Sequence, residues 1–287
     1  MGSLFHYAFL QNAILAGSCI AIASALTGYF LLSRGLTFAS HALPNVGFAG
    51  AAGAVLAGVK PVFGMFLFTI LASLGIGALG KDVRERDTSI GVLMTFALGL
   101  GLLFLSLYSG YAQQVYSILF GTILGISRTD VIVTGVATLA ALSFVLILYR
   151  PLVFSTFDPV VAEARGVPVG LVGNALLIFA AVTVSVSIQV MGAILVFTLI
   201  AGPAATAIRL AHRPAVAILL AVVLGIAYVW GGILLATLSG DLPVSFFVST
   251  IAFLVYVPIR IFTGNDRGVS SRPMRSHERE YVPGDLQ

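Results

Sequence analysis

Apolar runs long enough to cross a bilayer alternate along this chain with short polar interruptions. An α-helix rises about 1.5 Å per residue, so roughly 20 apolar residues cover about 30 Å of hydrocarbon. Runs of that kind occupy residues 8–32, 62–79, 90–108, 131–149, 171–190, 192–210, 215–238 and 244–262. Each is read as a transmembrane helix. The first ends at Arg34 and the fifth crossing ends at Arg150-Pro151. Residues 115–126 are also apolar but only twelve long, too short to cross without tilt or thinning, and are read as a re-entrant or half helix.

The stretch Gly35-Leu-Thr-Phe-Ala-Ser-His-Ala-Leu-Pro-Asn-Val-Gly-Phe-Ala-Gly50 differs from these runs. It is rich in small residues, and Lys60-Pro61 closes it. Pro44 removes a helix hydrogen bond, while Gly47, Gly50 and Gly53 permit close approach of another backbone. The pattern predicts a kinked second span packed inside the bundle. The total is then nine crossings, or eight if this span does not cross fully.

A polar segment, Phe157-Asp-Pro-Val-Val-Ala-Glu-Ala-Arg-Gly-Val-Pro168, separates the two apolar halves. Asp158 suits the N-cap, Pro159 the first helical position and Gly166 the left-handed position after the last turn, and Pro168 prevents continuation. A two-turn helix is marginal alone in water, so a segment capped so firmly at both ends fits docking against a partner. It fits equally an amphipathic connector lying on the membrane surface.

Composition supports the membrane reading. With 59% hydrophobic residues, 9% charged residues and a mean hydropathy of +1.07, the chain has too little polar surface to cover a soluble globule. The first run is itself long enough to span and resembles no cleaved leader, so the N-terminus is expected to be retained. The single cysteine, Cys19, rules out a disulfide framework or thiolate cluster within one chain and reads as a small buried hydrophobe.

The net charge of +4 is spread among membrane loops without aromatic interleaving, which argues against nucleic acid and in favour of topology. With the short helix inside, Arg34, Lys81, Arg84, Arg86, Arg150, Arg165, Arg209, Arg213, Arg260 and the tail arginines also fall inside, and only Lys60 and Arg128 fall outside. This places the N-terminus outside and the C-terminus in the cytoplasm. Residues 1–262 form the membrane domain, and residues 263–287, poor in apolar side chains, a disordered cytoplasmic tail.

No Asp, Glu, Lys or Arg lies near the middle of a span, whereas ion-coupled transporters generally need such a group. Energy is therefore expected from outside the chain. There is no nucleotide P-loop, no His-Glu-x-x-His and no Gly-x-Ser-x-Gly elbow, so the chain is not expected to be an enzyme. Inside the second span, His41 and Asn45 lie four residues apart on one face. Imidazole and amide can both coordinate a borderline divalent metal, and Ser40 adds an oxygen. The same groups equally suit interhelical hydrogen bonding, as do Gln11, Asn12, Asn174, Ser185, Ser187 and Gln189. In Ser239-Gly-Asp-Leu-Pro243, Asp241 caps the helix that Pro243 starts, or offers a carboxylate to metal at the outer mouth.

Four stretches of the chain resemble the permease subunits of ATP-binding-cassette importers for zinc, manganese and iron. Arg34-Gly-Leu-Thr-Phe-Ala-Ser-His-Ala-Leu looks like the family's Arg-x-x-Ser-Leu-x-Gly-Asp-Ala-Leu-x-His segment. Phe157 to Pro168 resembles its Phe-Asp-Pro-x-x-Ala-x-x-x-Gly segment, the coupling helix that contacts the ATPase. Val190-Met-Gly-Ala-Ile-Leu-Val-Phe-Thr-Leu-Ile-Ala-Gly-Pro-Ala-Ala-Thr-Ala is similar to its Pro-Ala-Ala segment, and Ser239-Gly-Asp-Leu-Pro243 to its Asp-x-Pro turn.

The resemblance covers nearly the whole chain up to Phe262. It implies an all-α type II importer-like bundle of 8–9 transmembrane helices in the bacterial cytoplasmic membrane. It also implies a homodimer that works with cytoplasmic ATPase subunits and an extracytoplasmic metal-binding protein. Phe157, Asp158, Pro159, Glu163, Arg165 and Gly166 would couple to the ATPase. A divalent metal ion would be the transported substrate, with no permanently bound cofactor. A metal-chelate permease and an ATP-independent transporter are the alternatives. Aligned without a gap, the family's Asp falls on His41 and its His on Asn45. With the Ser-His-Ala tripeptides aligned, His41 is the family His. The family's Asp is absent either way.

Overall fold

The structure, a computed structural model, describes residues 8–78, 83–108, 121, 125–240 and 242–263. Its helices are α1 (Ala8–Ser33), α2 (Thr37–Leu56), α3 (Pro61–Ala78), α4 (Val83–Leu107), α5 (Arg128–Phe157), α6 (Pro159–Ala164), α7 (Val169–Met191), α8 (Ala193–Leu210), α9 (Pro214–Ser239) and α10 (Val244–Phe262). Among the described residues eight helices are long and apolar enough to cross a membrane: all but α2 and the short α6.

Burial ranks the helices from centre to periphery. Within the protein, 72% of the α1 span is buried against 17% of the α4 span, so α1 is a central post and α4 faces the lipid. The large side chains that α4 and α5 expose, Phe96, Leu146 and Ile147 among them, are what a hydrocarbon solvent accepts.

The second helix falls short on apolarity but not on length. Its twenty residues rise about 30 Å, and fourteen of them are buried. A Cβ added to Gly50 would lie 2.2 Å from the Gly64 carbonyl oxygen, and one added to Gly64 would lie 2.0 Å from the Gly50 oxygen. The backbones of α2 and α3 therefore touch. A Cβ on Gly47 would meet Thr69, further along α3, so the two helices run antiparallel over the same depth. Protein rather than lipid surrounds α2, which explains how it carries His41, Pro44 and Asn45 at low apolarity.

One expectation is corrected at a proline: α5 continues past Arg150-Pro151 to Phe157. The helix α2 contains Pro44 without ending there. A proline interrupts one backbone hydrogen bond, to the carbonyl four residues earlier, and a helix held by its neighbours tolerates that loss. The fourth helix also starts at Val83, seven residues before its apolar run, because Arg, Glu and Asp extend a helix well beyond the hydrocarbon. The tail beyond Thr263 and most of residues 115–126 lie outside the described residues.

Interhelical hydrogen bonds use several of the scattered polar residues. Asn12 donates to the Ile126 carbonyl at 3.1 Å, Gln189 to Asp130 at 3.3 Å, and Thr69 and Ser185 share a bond of 2.8 Å. Cys19 is a half-buried free thiol.

Candidate functional site: a capped surface helix and a buried histidine

The short helix α6 has both of the ends its sequence specifies. The Val161 N–H donates to Asp158 Oδ1 at 3.0 Å, and Pro159 occupies the first turn. At the other end Gly166 takes φ +81°, Val167 N–H donates to the Ala162 carbonyl at 3.0 Å, and Gly166 N–H to the Glu163 carbonyl at 2.9 Å. Those two bonds form a Schellman cap. Ala162 is the buried residue of the helix; Phe157, Val160, Val161, Glu163 and Arg165 are exposed. The element presents apolar and charged side chains together on its exposed side.

Directly before α6, the last turn of α5 is fastened to the connection between α1 and α2. Arg34 donates through Nε to Thr156 Oγ1 at 3.0 Å and through Nη2 to Ser155 Oγ at 2.6 Å and the Leu152 carbonyl at 3.4 Å. Burial pulls this guanidinium down to about 10 from its ordinary value, so it stays charged at physiological pH. Beside this junction a cavity of about 400 Å³ is lined by Tyr29, Ser33, Phe157, His212 and Arg213 among others.

His41 lies one turn inside α2, and the ring of Phe197 on α8 meets it edge to face with centroids 4.5 Å apart. The imidazole Nδ1 is buried without a hydrogen-bond partner. Asn45 Nδ2 donates back to the His41 carbonyl at 2.9 Å, which turns the amide toward its own helix but leaves its oxygen uncommitted by that bond. Ser40 Oγ donates to the Thr37 carbonyl at 2.6 Å. The freer Ser40 oxygen is its carbonyl, since Pro44 lacks the N–H that would otherwise bond it.

The structure therefore brings His41 and Asn45 together on one face and turns the Ser40 hydroxyl away. The α6 residues form a separate group, joined to α2 through Arg34. Asp241 lies outside the described residues. Among the described residues no three His, Cys, Asp or Glu side chains come together. Sequence reading missed two residues. Arg34 was visible as a span end and a motif residue, but no signal pointed to its partners on α5. Phe197 was one apolar residue among many.

Eight helices long and apolar enough to cross a membrane, among the described residues, define a multi-pass membrane protein. Residues 6–263 match the ABC 3 transport family, and the chain belongs to that family. It is 32% identical over 231 residues to the manganese transport system membrane protein MntC of Halalkalibacterium halodurans, covering 80% of this chain and 79% of that protein. It is 30% identical over 204 residues to the manganese import system permease protein ScaB of Streptococcus parasanguinis, covering 71% and 72%. In the solved structure of PsaBC from Streptococcus pneumoniae in complex with Fab, one chain superposes with a TM-score of 0.79 at 25% identity, covering 90% of this chain and 93% of that one. The protein is thus a multi-pass subunit of the bacterial cytoplasmic membrane, with the all-α importer permease fold.

Proposed function

We propose that this chain is the permease of an ATP-driven importer of a divalent metal ion, manganese, zinc or iron, and that the ion passes His41 and Asn45. The single observation that carries the reading is the buried, unpartnered Nδ1 of His41, a half-buried residue of a helix most of whose residues are buried. An imidazole nitrogen without a hydrogen-bond donor or acceptor nearby is poised to bind a soft-to-borderline cation in passing. One chain supplies too few ligands for a tight site, which suits transit, and a second copy across a two-fold axis would supply an equal set. Relatives named for manganese transport support the choice of substrate class.

In the same reading, α6 docks on a separate cytoplasmic ATPase subunit, an extracytoplasmic binding protein delivers the ion, and this subunit hydrolyses nothing itself. The buried small residues Ala39, Ala42 and Ala49 pack the histidine's helix closely, which favours a bare ion over a bulky chelate. Asp241 stays a candidate for receiving the ion at the outer mouth. The test is uptake of isotopic manganese, zinc and iron into vesicles containing the permease, its ATPase and ATP. His41→Ala is expected to abolish most uptake with expression and ATPase binding intact, and His41→Asp to keep part of it. Normal uptake by His41→Ala would overturn the metal-path reading.

A further inference from the structure

We infer that Phe197 is the barrier that separates His41 from a largely apolar groove between α8 and α10, so that its side chain sets access to the histidine. The inference rests on the metal-path reading for its purpose but on geometry for its content. A cavity of about 310 Å³ is lined by Thr37, Phe197, Thr198, Ser249 and Tyr256 together with small residues of α8 and α10. Thr37 and His41 are four residues apart and share one face of α2. Thr37 and Phe197 line the groove and His41 does not, and Phe197 also packs against His41.

The chemistry on the two sides of the ring differs. On the groove side, four hydroxyl-bearing residues punctuate walls of Ala201, Gly202 and Ala205. Thr198 and Ser249 face each other across it at 3.4 Å, and Tyr256 marks its far end beneath the Arg209 guanidinium, 5.8 Å from the ring centre. The groove thus sets a few hydroxyls among apolar walls, whereas the other side of the ring holds the buried Nδ1 of His41. Phe197 is half-buried and next to open volume, so a rotamer change can carry its ring into the groove, whereas a ring fixed in a dense core has nowhere to go. Such a step would join the two compartments without moving a helix.

The experiment reads access to position 41 rather than transport. In a Cys19→Ser background, full-length permease carrying His41→Cys is treated in membrane vesicles with a small cationic methanethiosulfonate reagent, and the modification rate is measured with Phe197 and with Phe197→Ala. Removing the ring should raise the rate at position 41 by about tenfold, since the thiol loses the side chain that covers it. Phe197→Trp should restore slow labelling. Thr37→Cys, already in the groove, should label at the same rate in all three.

An unchanged rate at position 41 in Phe197→Ala would overturn the inference, and so would a parallel rise at Thr37→Cys, which would indicate general loosening. If His41→Cys does not accumulate, Asn45→Cys, one turn further along the same face, is read by the same criteria. Faster labelling combined with normal uptake by His41→Ala would leave the barrier standing and remove the metal path. Loss of uptake by His41→Ala with labelling unchanged would do the reverse.

Discussion

The Arg34 guanidinium donates to Ser155 Oγ at 2.6 Å, which ties the turn that begins α2 to the last turn of α5, immediately before α6. Three donor contacts from one half-buried cation tie the end of α5 to the start of α2. Arg34→Ala should lower thermal stability by about 1.5–3 kcal/mol, the range for hydrogen bonds to a charged group. It should also reduce ATP-driven uptake more than ATPase binding. Arg34→Lys should recover only part of both, because an ammonium cannot reproduce the planar fork. Thermal unfolding of the purified permease and uptake in vesicles measure the two effects. Wild-type values in Arg34→Ala would show the contact to be incidental.

Most of the helical order was legible because hydrocarbon demands long apolar runs, and α6 was legible almost atom by atom because Asp158, Pro159 and Gly166 each have one strong local preference. What escaped was governed by neighbours rather than by local preference. Pro151 looked like an end, yet a helix held by its neighbours absorbs the one lost bond. The candidate path was only half legible: His41 and Asn45 share a face by spacing alone, but Phe197 joins them from 156 residues away in sequence, and no periodicity encodes that contact.

The contact between α2 and α3 gives a sharp stability prediction. At Gly50 an added methyl group would meet the Gly64 backbone at 2.2 Å, and a backbone cannot swing aside as a side chain does. Gly50→Ala and Gly64→Ala should each cost about 1–3 kcal/mol by overpacking. Gly75→Ala, where the added Cβ meets nothing within 4 Å, should be neutral or slightly stabilising. Melting temperatures of the three variants in detergent decide the matter, and equal melting of all three would contradict the backbone contact.

Orientation can be checked from the charge pattern. The arginines near the ends of α1, α8 and α10, together with α6, should face the cytoplasm, and the turn at Lys60 should face outside. In a Cys19→Ser background, a cysteine replacing Lys60 should react with an impermeant reagent added outside intact cells, while one replacing Thr88 should react only after permeabilisation. Outside labelling at position 88 would invert the topology. Protection at both positions would mean that α3 does not carry the chain across.

The exposed charges of α6 should govern docking without supporting the fold. Glu163 and Arg165 are both exposed, so reversing them costs the permease little by itself. A partner groove shaped for one negative and one positive group would instead meet like charges, which reduces association through repulsion and desolvation. Glu163→Lys combined with Arg165→Glu should therefore keep the melting temperature of the permease within about 1 kcal/mol of wild type while co-purification of the ATPase falls sharply. Gly166→Val separates shape from charge: φ +81° is strained for a β-branched residue, so the Schellman cap should open and docking should fall with both charges in place. ATPase pull-down from solubilised membranes, set beside thermal unfolding of each variant alone, reads both effects. Full ATPase recovery by the charge-reversed variant would make α6 a surface connector.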